Sequence, residues 1–525
     1  MLTFDPPTPH EAPEKPLSFA ALVVVLSILV TGWVHPNTIA ARSVVTDCDR
    51  EAADPWDNNR VSEGVPFKQI DGDRAVEACQ RALTDHPDDL RLNFQYGRSI
   101  MAREWKWLRH AEVDPAPFIQ KAATAGYAPA QYYLGYLHRH GYGVARGFEE
   151  AAPWYQTSAE SGYAPAERLM GHEYLTGGFI ITGGKRWGYP SYKDAARWLR
   201  KAAEQGYVEA AADLGDLHNN RKLTRDHDQQ EEALRRYRTE FPDDPSQAVR
   251  WYRQAAEEGH VMAQNEMGFL YASGWGVKRN YEQAVFWYSN AAEHIDTTET
   301  FDHYPLFEVS PVKGWASEAA ENLGMLYLAG RGVPKNEEIG ARWIHMAATK
   351  TANVSAQAQL GYLYLEGRGL PEDPESGYRW IKQASDNHYE HATLDQALLE
   401  ATGHGTERNP RMALYRLNQL IASTNSPFIQ KRARTYARDI RRSNPGVEPW
   451  SMFNRGAGKN TSIGPGTVLV GLALLAVLLG DDQSGASISS SGIDEESRRR
   501  IQETRDYAMV WCEVGLGAGC FGAGI

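Results

Sequence analysis

The sequence predicts an all-α fold, a right-handed α-solenoid of helix-turn-helix repeats with one or two transmembrane helices. Three observations point there. A small apolar-glycine pair recurs along the chain and is followed each time by a tryptophan. The residues around each pair carry apolar positions three and four apart, the spacing of one buried helix face. Two uncharged apolar runs of 18 residues, 17–34 and 463–480, flank the array, each near the lower length for a spanning helix.

Residues 1–16 form an N-terminal tail with Asp5, Glu11 and Glu14 against a lone Lys15. The run from Leu17 to Val34 reads either as an uncleaved membrane anchor or as a signal segment with Thr38-Ile39-Ala40 as its cleavage site. The acidic start favours the anchor, because a signal peptide begins with positive charge. Residues 35–70 form a linker holding Cys48. That cysteine and Cys79 lie 31 residues apart, just beyond the apolar run, where an exported chain meets oxidant. A disulfide between them would contribute several kcal/mol by restricting the unfolded chain; two unrelated thiols are the alternative.

Residues 71–120 read as an atypical leading repeat, since the stretch from Arg74 to Leu83 has helical periodicity and ends at His86-Pro87. End units of a stack are irregular because one face meets water.

The array itself spans 121–424. Its glycines are Gly135, Gly171, Gly215, Gly268, Gly324 and Gly361, and its tryptophans Trp154, Trp198, Trp251, Trp287, Trp343 and Trp380. Glycine-to-tryptophan gaps run 19, 27, 36, 19, 19 and 19, and tryptophan-to-glycine gaps 17, 17, 17, 37 and 18. The underlying unit is therefore 36 to 37 residues, with insertions near 179–191, 219–245 and 296–313. A helix-forming period of that size reads as a stacked helix pair in which neighbours bury one another's faces. In the unit from Ala256 to Ala291, Ala263, Met267 and Leu270 mark the stripe of a first helix, and Gly268 permits close helix approach. Gly274 and Gly276 end that helix, and Ala284, Trp287 and Tyr288 give the second its apolar face. One register on every second helix suits the tryptophans to packing between units rather than to a ligand cage.

These residues resemble the Sel-one-like repeat family, a branch of the tetratricopeptide superfamily. AGYAPAQYYLGYLHRHGYGV, EGHVMAQNEMGFLYASGWGV, AAENLGMLYLAGRGV and SAQAQLGYLYLEGRGL carry the likeness, which extends over about 121 to 420 with a degenerate last unit containing HATLDQALLEATGHGT. The resemblance implies protein–protein scaffolding or regulation through the surface of the first helices. Some cysteine-rich members of the family are associated with β-lactam binding or hydrolysis and carry a cysteine pair in each repeat; residues 80–511 here contain no cysteine.

Residues 425–462 form a basic helix, with Lys431, Arg432, Arg434 and the run Arg438 to Arg442, and a linker. That basic stretch suits either an anionic lipid surface or a solvated helix face. The run at 463–480 begins Gly464-Pro465-Gly466 and is either spanning or merely inserted. Residues 481–525 are a Ser/Gly-rich tail whose Cys512 and Cys520 permit a second bridge.

Other chemistries find little support. With 55 basic and 67 acidic residues, net −12, the chain offers no clustered basic face for nucleic acid over its bulk. Gly517, Gly519 and Gly522 match a dinucleotide fingerprint in letters, but only three residues follow them in this sequence, where the fingerprint needs a helix start. Ser310 and Lys313 match the serine-x-x-lysine pattern of penicillin-recognising enzymes, but lie in an insertion without the companion sequences. His138 and His140 point to different helix faces, unlike a zinc pair. No catalytic, cofactor-binding or metal residue is assigned, and no cofactor or small-molecule substrate is expected. The sequence thus predicts a membrane-anchored interaction scaffold, held in the inner membrane with its solenoid in the periplasm, and with a protein and the membrane as partners. The alternatives are an envelope hydrolase acting on β-lactam or peptidoglycan, and a membrane-organising protein.

Overall fold

Asparagine and aspartate before many of the helices, and a glycine where seven of the eight helix pairs cross, lay down the architecture. A computed structural model describes residues 45–104, 112–176, 191–219, 244–296 and 312–447. Two helices lead, α1 (Asp47–Ala52) and α2 (Gly72–Asp85). First and second helices then alternate. The pairs are α3 (Leu90–Arg103) with α4 (Ala116–Thr124), α5 (Ala128–His140) with α6 (Phe148–Glu160), α7 (Ala164–Thr176) with α8 (Tyr192–Glu204), and α9 (Val208–His218) with α10 (Pro245–Glu257). They continue with α11 (Val261–Ser273) and α12 (Tyr281–Ala292), α13 (Val312–Ala329) and α14 (Glu337–Lys350), α15 (Val354–Glu366) and α16 (Pro374–Asp386), and α17 (Glu390–Thr402) and α18 (Pro410–Ser423). The helix α19 (Pro427–Ser443) closes the described stack. The described residues contain no strand.

From α10 onward, second helices start on a side-chain cap. Asp244, Asn280, Asn336, Asp373 and Asn409 each accept a hydrogen bond from a backbone N–H of the first turn, satisfying a donor that the helix cannot. Pro245, Pro374 and Pro410 follow such caps, where the ring's fixed φ suits a first turn and no N–H is missed.

In every pair except α17 with α18, the crossing is set by the recurring glycine. A Cβ on Gly215 would stand 2.4 Å from the Tyr252 ring, on Gly268 2.6 Å from Tyr288, and on Gly361 2.6 Å from Ile381. Gly135, Gly171 and Gly324 face Tyr155, Leu199 and Ile344 in the same way. The side chain that fills the glycine's space is therefore always the residue after the repeat tryptophan. The leading unit uses the same device: a Cβ on Gly97 of α3 would stand 2.5 Å from Ile119 of α4. This glycine extends the series by one unit that the tryptophan spacing had not revealed, because α4 has no tryptophan.

The tryptophans divide. Trp198, Trp251 and Trp287 are buried, whereas Trp154, Trp343 and Trp380 are half-buried. Packing between units thus explains three of them fully, while the deepest position on each second helix belongs to the next residue.

No helix among the described residues is long and apolar enough to cross a membrane. The two apolar segments at 17–34 and 463–480 lie outside the described residues, as do Ser310, most of the three insertions, and the tail with Cys512, Cys520, Gly517, Gly519 and Gly522.

Candidate functional site: the first-helix face of the leading units

On α3, Arg91, Gln95 and Arg98 follow one another at four- and three-residue spacing, so they line one stripe of the helix. All three are buried, and what covers them is the chain's own segment from Thr46 to about Gln69. That segment was read from sequence only as a linker.

This segment is a strap across the face, and its start is fixed to the cap that α2 and the start of α3 form at the leading end. Cys48 and Cys79 are joined as a disulfide, with Cα atoms 4.4 Å apart. Cys48 and Ala52 pack with Ala75, Val76 and Ala82 of α2 and with Leu92 and Ile100 of α3. Asp49 pairs with Arg91 and accepts a hydrogen bond from Gln95 Nε2 at 3.1 Å.

Beyond Ala52 the contacts turn polar and aromatic. Arg98 donates from Nη1 to the carbonyls of Ala52 and Ala53, both at 3.1 Å, and from Nη2 to Val65 at 2.8 Å. Its Nε donates to Tyr133 Oη at 3.1 Å and lies 3.4 Å from Asp54 Oδ2. Burial works against the Arg98 charge, but Tyr133 and Asp54 more than offset it and hold the pKa above the ordinary arginine value.

Three tyrosines at equivalent positions complete the face, each standing just before a first helix: Tyr127, Tyr163 and Tyr207. Tyr127 donates to Asp57, Tyr163 Oη donates to Asp54 Oδ2 at 3.1 Å, and the Tyr207 ring meets Trp56 edge-on with centroids 4.6 Å apart. Burial raises the Asp57 pKa, partly countered by the Tyr127 hydroxyl and the Asn59 N–H. Phe67 ends the contact, 6.3 Å from the Tyr133 ring and under the Arg98 guanidinium. The signal that could have found this face was the Gly-Tyr pair repeated at 126–127, 162–163 and 206–207, which reads only as a turn until its hydroxyls acquire a partner.

One unit further, Arg168 Nε and His172 Nε2 of α7 lie 2.6 and 2.9 Å from Asp213 Oδ2 of α9. Burial pushes the Asp213 carboxyl up, but Arg168 and His172 beside it outweigh burial and hold it well below the usual carboxylate range. These groups form an inter-unit tie. Among the described residues no cluster of three His, Cys, Asp or Glu side chains has the arrangement of a metal site. His138 Nδ1 donates to the Ala145 carbonyl oxygen at 3.0 Å, while His140 stacks on Tyr142.

The repeat tryptophans form no cage. Lys201 stands over the Trp198 ring at 4.3 Å and Arg250 over Trp251 at 4.8 Å, each cation coming from the same helix as its ring. On α19, Arg434, Arg438, Arg441 and Arg442 are exposed, whereas Arg432 is drawn against Tyr436 and Phe428.

Comparison with known proteins gives three results. The Sel1 repeat family matches residues 128–163, 164–207, 240–260, 261–296, 317–351, 354–389 and 397–415. No curated protein matches. Among solved structures, the chain is similar to a Sel1 repeat protein from Oxalobacter formigenes at 23% identity and TM-score 0.45, covering 68% of this chain and 88% of that one. It is also similar to a protective antigen with an SLR fold from uropathogenic Escherichia coli, at 20% identity and TM-score 0.34, covering 75% of this chain and 93% of that one.

Proposed function

Because the chain belongs to the Sel1-like repeat family, whose repeats are a protein-interaction fold, we propose that it is a membrane-anchored scaffold or regulator that binds a protein partner on the first-helix face of its solenoid. The observation that carries this reading is the strap itself. A looped stretch of polypeptide is already seated on that face, with its carbonyls on Arg98 and its side chains on tyrosines from three successive units. A surface that holds one peptide by main-chain and side-chain contacts together has the chemistry to hold another.

Membrane anchoring rests on the apolar runs at 17–34 and 463–480, and location in a bacterial envelope rests on the Cys48–Cys79 pair beyond the first run. Labelling intact spheroplasts with a membrane-impermeant maleimide tests both. Label at these cysteines only after reduction is the expected result; free thiols reached only after lysis would move the solenoid to the cytoplasm.

Partner binding is tested by placing a photo-crosslinking residue at Gln359 of α15, two residues before Gly361 and so in register with Gln95 and Tyr133 on the binding face. The control position is Phe286 of α12, half exposed on a second helix. Crosslinks in the native host from Gln359 and none from Phe286 are expected. Equal adducts from both positions, or none from Gln359, would remove the assignment of this face.

A further inference from the structure

The strap divides into two parts with different chemistry. Cys48 and Ala52 belong to the small apolar cluster of the cap, so the first part is a piece of that cap. From Ala53 to Val65 the segment has no helix or strand of its own, only turns and one closing hydrogen bond from Val65 N to Ala53 O at 2.8 Å. There the hold comes from Arg98 on backbone carbonyls, Tyr163 and Tyr127 on two aspartates, and Tyr207 on a tryptophan.

Three successive units present the same residue type at the same position, and the strap supplies one side chain to each. The Arg98 side chain is 1% exposed. A buried guanidinium left without an anion is costly, so anything seated here in place of the strap must itself bring a carboxylate. It must also fill the space against Tyr207, which an indole does.

We infer that the first-helix face of α3, α5, α7 and α9 is a recognition groove for an acidic, tryptophan-bearing peptide loop, and that residues 53–67 occupy it as a tethered stand-in. The inference rests on the scaffold reading and adds to it the chemistry of the partner. Tethering gives the strap a high effective concentration, so a free peptide competes poorly until the strap's own contacts are weakened, and the Cys48–Cys79 bond keeps the tether short.

The test uses the full chain and a fluorescein-labelled peptide of residues 51–68, read by fluorescence anisotropy. The variant carries Asp54→Ala and Trp56→Ala. The expected result is little or no binding to the unaltered chain, and a gain of about tenfold or more in affinity for the variant. A control peptide with Asp54, Trp56 and Asp57 all replaced by Ala should bind neither chain.

Equal affinity of the labelled peptide for both chains, with the helical circular dichroism of the variant intact, would overturn the inference. Loss of that helical signal would overturn it equally, because the strap would then be part of the folded core and no stand-in. A second measurement needs no variant: unlabelled peptide at concentrations far above those of the anisotropy assay should outcompete the tether and raise deuterium uptake at 53–67 in the unaltered chain while α5 stays protected, and unchanged uptake would count against displacement. Failure of these experiments with crosslinking at Gln359 still intact would remove this inference and leave the scaffold reading standing; loss of the crosslinks would remove the reading itself.

Discussion

At six of the turns that lead into first helices, one residue takes positive φ: Gly126, Gly162, Gly206, Gly259, Ala352 and His388. A Cβ on Gly206 would meet nothing within 4 Å, so only backbone conformation opposes a side chain there. Gly206→Ala should therefore cost about 1 kcal/mol, the left-handed penalty less the entropy that glycine loses on folding. His388→Gly, the reverse change at the equivalent turn, should gain up to about 0.5 kcal/mol. Urea titration of both variants checks the pair, and a destabilised His388→Gly would mean the imidazole has a role beyond the turn. Two buried acids make stability depend on pH. Burial pushes Glu321 of α13 up to about 7, although Ser355 and Asn353 donate to it, and Glu167 of α7 is likewise pushed up to about 7. A raised carboxyl binds its proton more tightly in the folded than in the unfolded chain, so its favourable contribution is full below the unfolded value of 4.5 and is lost as pH rises through 7. Glu321→Gln should leave stability near pH 4.5 almost unchanged and raise it at pH 8 by about 1–3 kcal/mol. Thermal melts at the two pH values read the difference; equal shifts at both would show that the acid is not titrating.

At the scale of helices, the glycine crossings decide how closely each pair packs. Gly268→Ala must displace the Tyr288 ring, whose Cδ1, Cε1 and Cγ lie 2.6, 2.7 and 2.8 Å from the new Cβ. Overpacking of this kind costs about 1–3 kcal/mol, clearly more than Gly206→Ala if the ring cannot shift. Adding Tyr288→Leu, the residue that faces Gly171 as Leu199, should recover part of the loss, and a double-mutant cycle measures the coupling. Additive costs would place the Gly268 effect elsewhere than on this ring. The disulfide acts on the leading helices. Closing a loop of 31 residues corresponds to about 3–4 kcal/mol in the chain-entropy picture. Replacing both cysteines by serine should lower the stability of the strap and α2 while the later repeats keep theirs, and hydrogen exchange resolved by segment would separate the two.

Across the whole stack, each unit is supported chiefly by its neighbours, so end units are the weakest in a simple array. Here the ends differ. The leading end has α2, the strap, the disulfide and the buried Arg91 and Arg98 pairs, whereas α19 closes the described stack at the other end by packing Ile429, Ala433, Ala437 and Ile440 against α17 and α18. Amides of α17 to α19 should therefore exchange before those of α3 to α9. Exchange starting at α3 would mean that the strap adds little to the leading end.

Much of this molecule was legible in its letters. A period of 36 to 37 residues with glycine and tryptophan at fixed offsets requires helix pairs that bury one another, so the units and the close crossing at Gly268 follow from spacing, while the family follows from the resemblance of the repeated stretches. Gly97 escaped because its second helix lacks the tryptophan on which the spacing was measured. The strap escaped for a different reason. Asp54, Trp56 and Asp57 have no periodicity, and a segment without periodicity reads as linker whatever it touches. Their partners Arg98, Tyr127, Tyr163 and Tyr207 are 44 or more residues away in the chain, as with Asp54 and Tyr163, separated by 109 positions. Local pattern reports which face of a helix is apolar, because neighbouring residues share that helix. It carries no information on which distant segment covers a polar face, since that is decided only when stacking brings successive units into register and the chain folds back across them.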